Sequence, residues 1–185
     1  MERRFFFKLP LFAPIMMPLV DLLLNQLRAN LPKKGILVKA GEDRSGKPFK
    51  WLEASFTVKV SVKDTGGRYV IFDTLRPEKV GPPLHLHTDC DEWFFVIDGE
   101  FKFQVDGEIM HLKAGDSLTV LQDTPHAFVK TSEGTARLLV MHQPAAQMEE
   151  YFRSIIQQAD QTIEGRRALA EKHGMKILGQ PLQPD

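Results

Sequence analysis

His85 and His87 stand one residue apart in "PLHLHTDCDEWFFVIDG", Glu92 follows five residues after His87, and His126 comes later in "TPHAF". On a β-strand, residues two apart share a face, so the His85 and His87 imidazoles project the same way and can converge on one ion. Glu92 opens the next strand on the face that also carries Phe94 and Val96, and His126 shares a face with Phe128. Three imidazoles and one carboxylate suit a divalent transition ion (Fe, Mn, Ni, Co, Cu or Zn) better than Mg or Ca, which prefer oxygen donors. A single H-x-H is a weak signal. The full set is stronger, because four polar side chains buried on one inner face need partners. His111, His142 and His173 are read as ordinary core or surface groups, and Cys90 as a small residue in the bend between His87 and Glu92.

The chain around these residues reads as strands and turns from Ile36 to Gln143. "SFTVKVSV" alternates Phe56, Val58, Val60 and Val62 with polar residues, the pattern of a half-buried strand. "DTGG" and "RYVIFDTL" then predict a turn and a second strand. "EWFFVIDGEFKFQVDGEIMHL" predicts three strands joined at Asp98-Gly99 and Asp106-Gly107, both suited to tight hairpins. "AGDSLTVL", "HAFVKT" and "ARLLVMHQ" extend the series. Short strands without intervening helices predict an all-β antiparallel sandwich or barrel. After Pro144, Met148, Phe152, Ile155, Ile156, Ala159 and Ile163 recur at helical spacing. Gly165 is expected to bend or end that helix, Gly174 to cap a second, and the tail "GQPLQPD" to be loose. The expected organisation is an arm over 1–33, a barrel over 34–144 and a helical extension over 145–185.

The 185 residues carry 24 Lys plus Arg against 24 Asp plus Glu. That balance, with no local cluster, gives no electrostatic case for nucleic acid or an anionic membrane. One cysteine excludes an internal disulfide. The amino terminus, "MERRFFFKLPLFAPIMMPLV", resembles a twin-arginine export signal with Arg3-Arg4 as the pair, which would make the protein periplasmic. Three regularly spaced prolines and the lack of an A-x-A-like cleavage site argue instead for an ordered arm in a cytoplasmic protein. The apolar run is too short to span a membrane. "LVDLLLNQLRAN" predicts a short helix over 19–30.

Residues 81–143 resemble the cupin superfamily. His85, His87, Glu92 and Gly99 fall on the first cupin motif, G-x5-H-x-H-x4-E-x6-G, and Gly115 and His126 on the second, G-x5-P-x-G-x2-H-x3-N. Lys79 stands where the first motif opens with glycine, although Gly81 lies nearby. Leu121, Asp123 and Lys130 replace the proline, glycine and asparagine of the second. The resemblance implies a double-stranded β-helix, or jelly-roll barrel, with metal on His85, His87, Glu92 and His126. "GPPLHLHTDCDEWFFVIDGEFKFQV" and "QPAAQMEEYF" are similar to small bacterial single-cupin proteins described as quercetin dioxygenase-like. That similarity implies a metal-dependent dioxygenase acting on a small enol, flavonol-like or aromatic compound. Glu92 would then ligate the metal or take a substrate hydroxyl proton as the catalytic residue. Phe94, Phe103, Phe128 and Met141 are expected to line its pocket, with plain barrel core as the competing reading. Pairing into a homodimer is implied as well. Two alternatives stand: a non-catalytic metal or small-ligand binding module, and a sugar or keto-acid isomerase or epimerase. The latter calls for an inward Arg or Lys, for which Lys59, Lys102 and Lys130 are weak candidates.

Overall fold

The computed structural model describes residues 35–184, so the amino-terminal arm or export segment and the helix expected over 19–30 lie outside the described residues. Strands β1 (Phe49–Trp51), β2 (Ala54–Val60), β3 (Val70–Arg76), β10 (Ala136–Gln143), β5 (Asp91–Asp98) and β8 (Ser117–Val120) form one sheet in that order. The second sheet runs β11 (Met175–Pro181), β4 (Pro83–His87), β9 (His126–Lys130), β6 (Glu100–Val105) and β7 (Glu108–Lys113). All pairings are antiparallel. The sheets pack face to face through aromatic rings: Phe94 of β5 lies 4.9 Å from Phe103 of β6 and 5.4 Å from Phe128 of β9. This is the all-β antiparallel sandwich expected from the strand pattern, in the jelly-roll form that the resemblance implies.

The two Asp-Gly pairs do different jobs. Asp106 and Gly107 both have positive φ and close the β6–β7 hairpin, as a tight turn of this type requires. Asp98-Gly99, expected to be a second hairpin, instead turns the chain from one sheet into the other, since β5 and β6 do not pair. Gly99 sits at this corner with φ 84°, where a β-carbon would lie 2.5 Å from the Ala136 side chain. Crowding at the corner, rather than hairpin twist, explains the glycine.

The helical segment also departs from expectation. Helix α1 (Val62–Thr65) is a single turn after β2, while α2 (Met148–Ile155) ends well before Gly165. A new start follows, because Thr162 caps the Gly165 amide and opens α3 (Ile163–Lys172). Strand β11 follows α3 and takes in Gly179–Pro181, the first three residues of the tail expected to be loose; it pairs with β4 beside both histidines, where Met175 faces His87 and Ile177 faces His85. Helix α2 buries Met148, Tyr151, Phe152 and Ile155 along one stripe, and the Phe152 ring sits 5.1 Å from both Phe56 and Phe72. Its exposed side is tied down by Glu149, whose carboxylate accepts from the Ser61 hydroxyl and the Val62 amide at the start of α1.

Ahead of β1, Asp43 anchors the first loop to β2. Its carboxylate accepts from the amides of Ser45, Lys47 and Val58 and from the Ser45 hydroxyl. Burial pushes its pKa up, but these bonds outweigh burial and leave it below the ordinary carboxylate value. Replacing Asp43 by Ala strands a buried amide and should cost about 1–3 kcal/mol in chemical denaturation at neutral pH. The folded pKa lies below the unfolded one, so this stabilisation is complete above the unfolded pKa and vanishes as pH falls through the folded value. The gap between wild type and Asp43→Ala should therefore close on acidification; a gap that stays constant would contradict the assignment.

Candidate metal centre

The site is built from two cross-strand pairs facing each other across the sandwich. In one sheet His85 of β4 stands opposite His126 of β9; in the other, Glu92 of β5 stands opposite His142 of β10. His87, two residues along β4, completes the ring. One ligand atom from each of His85, His87, Glu92 and His126 falls within 4.8 Å of the others, and all four side chains are buried. Glu92 Oε2 accepts from His126 Nε2 at 2.8 Å and from His87 Nε2 at 3.1 Å, while Oε1 lies 3.2 Å from His142 Nε2.

Backbone contacts fix the rings. Nδ1 of His85 lies 2.8 Å from the Pro83 carbonyl, and Nδ1 of His126 lies 2.9 Å from the Thr124 carbonyl. A carbonyl only accepts, so both Nδ1 atoms carry the proton and both Nε2 atoms turn toward the cluster. The loop before β9 is clasped to the turn after β4: the Asp123 amide donates to the His87 carbonyl, and the Gln122 amide donates to the Asp91 carboxylate. Asp123, standing where the motif has glycine, takes φ 61°, a left-handed conformation that Asp tolerates better than most residues. Gly81 sits so close to β9 that a β-carbon would fall 1.7 Å from the Phe128 carbonyl oxygen, so a glycine serves at 81 although the motif expects it at 79.

Burial alone would raise the Glu92 pKa, yet the charge of His142 and the contacts of His126, His142 and His87 hold it well below the ordinary carboxylate range. For His85, burial pushes the pKa well down, and the neighbouring His126 and His87 push the same way, which leaves a neutral ring with a free lone pair. His87 is likewise lowered by burial, only partly offset by Glu92. His126 goes the other way: burial opposes its charge, but the hydrogen bond and negative charge of Glu92 prevail. Among the three candidate ligand rings, His126 is thus the one whose protonated form Glu92 favours, and a cation binding there would compete with that proton.

Glu92, His85, His87 and His142 border a cavity of about 90 Å³ whose other walls are mostly apolar, with Trp51, Phe56, Phe128, Tyr151, Phe152 and Ile155 among them. Of the aromatic residues expected there, Phe128 lies in the wall. Phe94 and Phe103 are fully buried in the core and do not border the cavity, although the Phe94 ring packs 6.3 Å from His126. Met141 is also absent from the wall, because β10 buries Ala136, Leu138, Val140 and His142 and turns Met141 to the opposite face. Among the polar residues of the wall that the sequence reading did not name are the buried His142 and Arg76, and Arg166, which is exposed. Alternation from Val140 places His142 inward, and alternation from Phe72 and Thr74 places Arg76 inward one residue beyond the expected strand. The weak basic candidates point elsewhere: Lys59 and Lys130 donate to loop carbonyls, and Lys102 is buried away from the cavity.

A family model described as the cupin domain matches residues 71–142. The quercetin 2,3-dioxygenase of Bacillus subtilis is 30% identical over 108 residues, which cover 57% of this chain and 31% of that protein. The transcriptional regulator PuuR of Escherichia coli is 32% identical over 75 residues, 40% of each chain. The chain therefore spans well under half the length of these relatives. A solved structure described as a predicted oxalate decarboxylase from Thermotoga maritima superposes with a TM-score of 0.54 at 17% identity, covering 58% of this chain and 98% of that one. Residues 71–142 thus match a cupin domain, and the fold around them is that of a cupin β-barrel.

The donor set fits a transition-metal ion. Ligand atoms roughly 2.0–2.2 Å from one ion lie no more than about 4.4 Å apart, so the observed cluster needs only small shifts to close on one. Nδ1 of His87 and Nδ1 of His142 have no hydrogen-bond partner among the described residues, so the polar groups of the cluster are not all satisfied by one another. His126→Ala should abolish stoichiometric metal in elemental analysis of protein purified without added metal. His142→Gln should keep the stoichiometry but weaken affinity about 10–100-fold in chelator competition, since His142 orients Glu92 from outside the ligand set. Complete metal loss in His142→Gln would instead make it a ligand.

Proposed function

We propose that this protein is a metal-dependent dioxygenase acting on a small enol, flavonol-like or aromatic compound. The observation that supports the reading best is the position of the donor cluster at the edge of an apolar cavity. Three of the four residues that could hold an ion, His85, His87 and Glu92, border the space a flat substrate would occupy. A redox-active divalent ion held by His85, His87, Glu92 and His126 would supply an exchangeable position for an enolate oxygen and electron transfer toward O2.

The protein's own part is the handling of proton and water. Glu92 has one oxygen engaged by His87 and His126 and the other beside His142, so a small rotation frees an oxygen to take the substrate hydroxyl proton. His142, with Nε2 3.2 Å from Glu92 Oε1 and no partner on Nδ1 among the described residues, can follow that motion and steady the carboxyl in either position. The rings of Trp51, Tyr151 and Phe152 and the side chain of Ile155 keep bulk water from the reacting face. The similarity to a quercetin dioxygenase supports the same reaction class.

A second reading, a ligand-sensing module without turnover, is favoured by the similarity to PuuR, a regulator. Oxygen uptake separates the two. Protein loaded in turn with Fe, Mn, Ni, Co or Cu should consume O2 with at least one flavonol, catechol or 1,3-diketone. Glu92→Gln that still holds metal should lower kcat about 10²–10⁴-fold. Stoichiometric metal with no uptake on any of these compounds would favour the sensing module.

A further inference from the structure

Arg76 is the one strongly basic group buried at the wall of the metal cavity, and its bonding is half used. Its side chain is 2% exposed, and Nη1 donates to Glu53 Oε1 at 2.9 Å. Its guanidinium lies over the Phe128 ring, 4.7 Å from the centroid, and 5.7 Å from that of Phe56. Nε has no hydrogen-bond partner among the described residues, and neither does Glu53 Oε2. A staple whose only task was to tie the β1–β2 turn to the end of β3 would be expected to close both bonds, because each buried orphan costs stability. With Glu53 on Nη1, the Nε–Nη2 edge of the fork is left over, and that edge matches a carboxylate with two parallel hydrogen bonds. The aromatic faces on either side hold the plane of the fork in place.

Charge points the same way. A divalent ion with Glu92, together with the Arg76–Glu53 pair, would leave about one net positive charge on the buried groups of this mostly apolar cavity, and the exposed Arg166 in its wall adds to that charge, so an anionic ligand would be favoured. The substrate oxygen on the metal side and an anionic group on Arg76 would then fix both ends of a flat molecule.

We infer that the Nε–Nη2 edge of Arg76 is a carboxylate-binding subsite, so that the substrate is a small enol or phenol bearing a carboxylate rather than a neutral flavonoid. This rests on the proposed function insofar as it places the substrate in the same cavity. Glu53 acts as the built-in competitor that holds the fork in register through Nη1.

The test is binding rather than turnover. Trp51, in the cavity wall, reports occupancy by fluorescence, with metal-loaded and metal-free protein compared. The probes are three carboxylate–carboxamide pairs that differ in the reach between hydroxyl and carboxylate: salicylate and salicylamide, 3-hydroxybenzoate and its amide, 4-hydroxybenzoate and its amide. At least one pair should favour the carboxylate by about tenfold or more. The double variant R76M/E53Q, which removes both charges together, should bring that ratio to near one. Glu53→Gln alone keeps the guanidinium and removes its competitor, so it should raise the ratio and decides the matter should the double variant fail to fold. No preference in any pair, a preference that survives in R76M/E53Q, or one that does not rise in Glu53→Gln overturns the subsite. Oxygen uptake without carboxylate discrimination would sink this inference alone, and discrimination without uptake would sink only the dioxygenase reading.

Discussion

The structure turns on one carboxylate taken out of water. Glu92 is enclosed between two sheets, and stripping solvent from an ionised carboxyl costs several kcal/mol unless neighbours replace the water. Three imidazoles do so: His87 and His126 on one oxygen, His142 beside the other. Their arrangement requires β4 and β9 to be paired in one sheet at the same level as β5 and β10 in the other. A slip of one residue on any of these strands would turn a ring outward and leave the charge exposed to apolar surroundings. The demand for partners therefore constrains strand register as strongly as the aromatic core does.

The rest of the sandwich keeps that register. Behind His126, the rings of Phe94, Phe103 and Phe128 fill the space between the sheets, and Gly99 and Gly81 allow backbone to pass where a side chain could not. The loop before β9 is held by its amides to the turn after β4 and to the start of β5, so His126 is positioned by backbone bonds at both ends of its approach. A site held on paired strands and clasped turns loses little side-chain entropy when an ion arrives, because the rings are already oriented by the Pro83 and Thr124 carbonyls.

Much of this was legible in the sequence where a pattern was local. Period-two alternation located most strands, and the spacing of His85, His87 and Glu92 with a later His126 named the residues that the structure brings together. The failures share a cause. On β10 every residue from Ala136 to Met141 is apolar or an arginine, so alternation alone does not say which face is inward, and Met141 was taken for the pocket in place of His142. On β3 the strand was ended one residue early, hiding Arg76. The Asp98-Gly99 turn has hairpin chemistry but corner geometry, and only the identity of the next pairing partner separates them. Strand β11 gave no sign of itself because its pairing with β4 is long-range, between "MKILGQP" and a segment far earlier in the chain. In each case the missing information was which element lies alongside, a tertiary fact that short windows do not contain.

The division between floor and walls limits what kinship can say about substrate. The region matched by the family model, 71–142, holds His85, His87, Glu92 and His126, and so the chemistry shared by the fold. Trp51, Phe56, Tyr151, Phe152, Ile155 and Met175, which shape much of the cavity, all lie outside it. Those walls come from the first hairpin, from α2 and from β11, elements joined to the barrel by aromatic packing and one edge pairing. A donor set can be kept while such walls are exchanged, because the ion asks only for register within the barrel and the substrate asks for shape above it. The walls of the cavity are therefore set by the added elements and by Arg76, whose orphaned Nε is, with Arg166, a polar feature that the donor cluster does not account for.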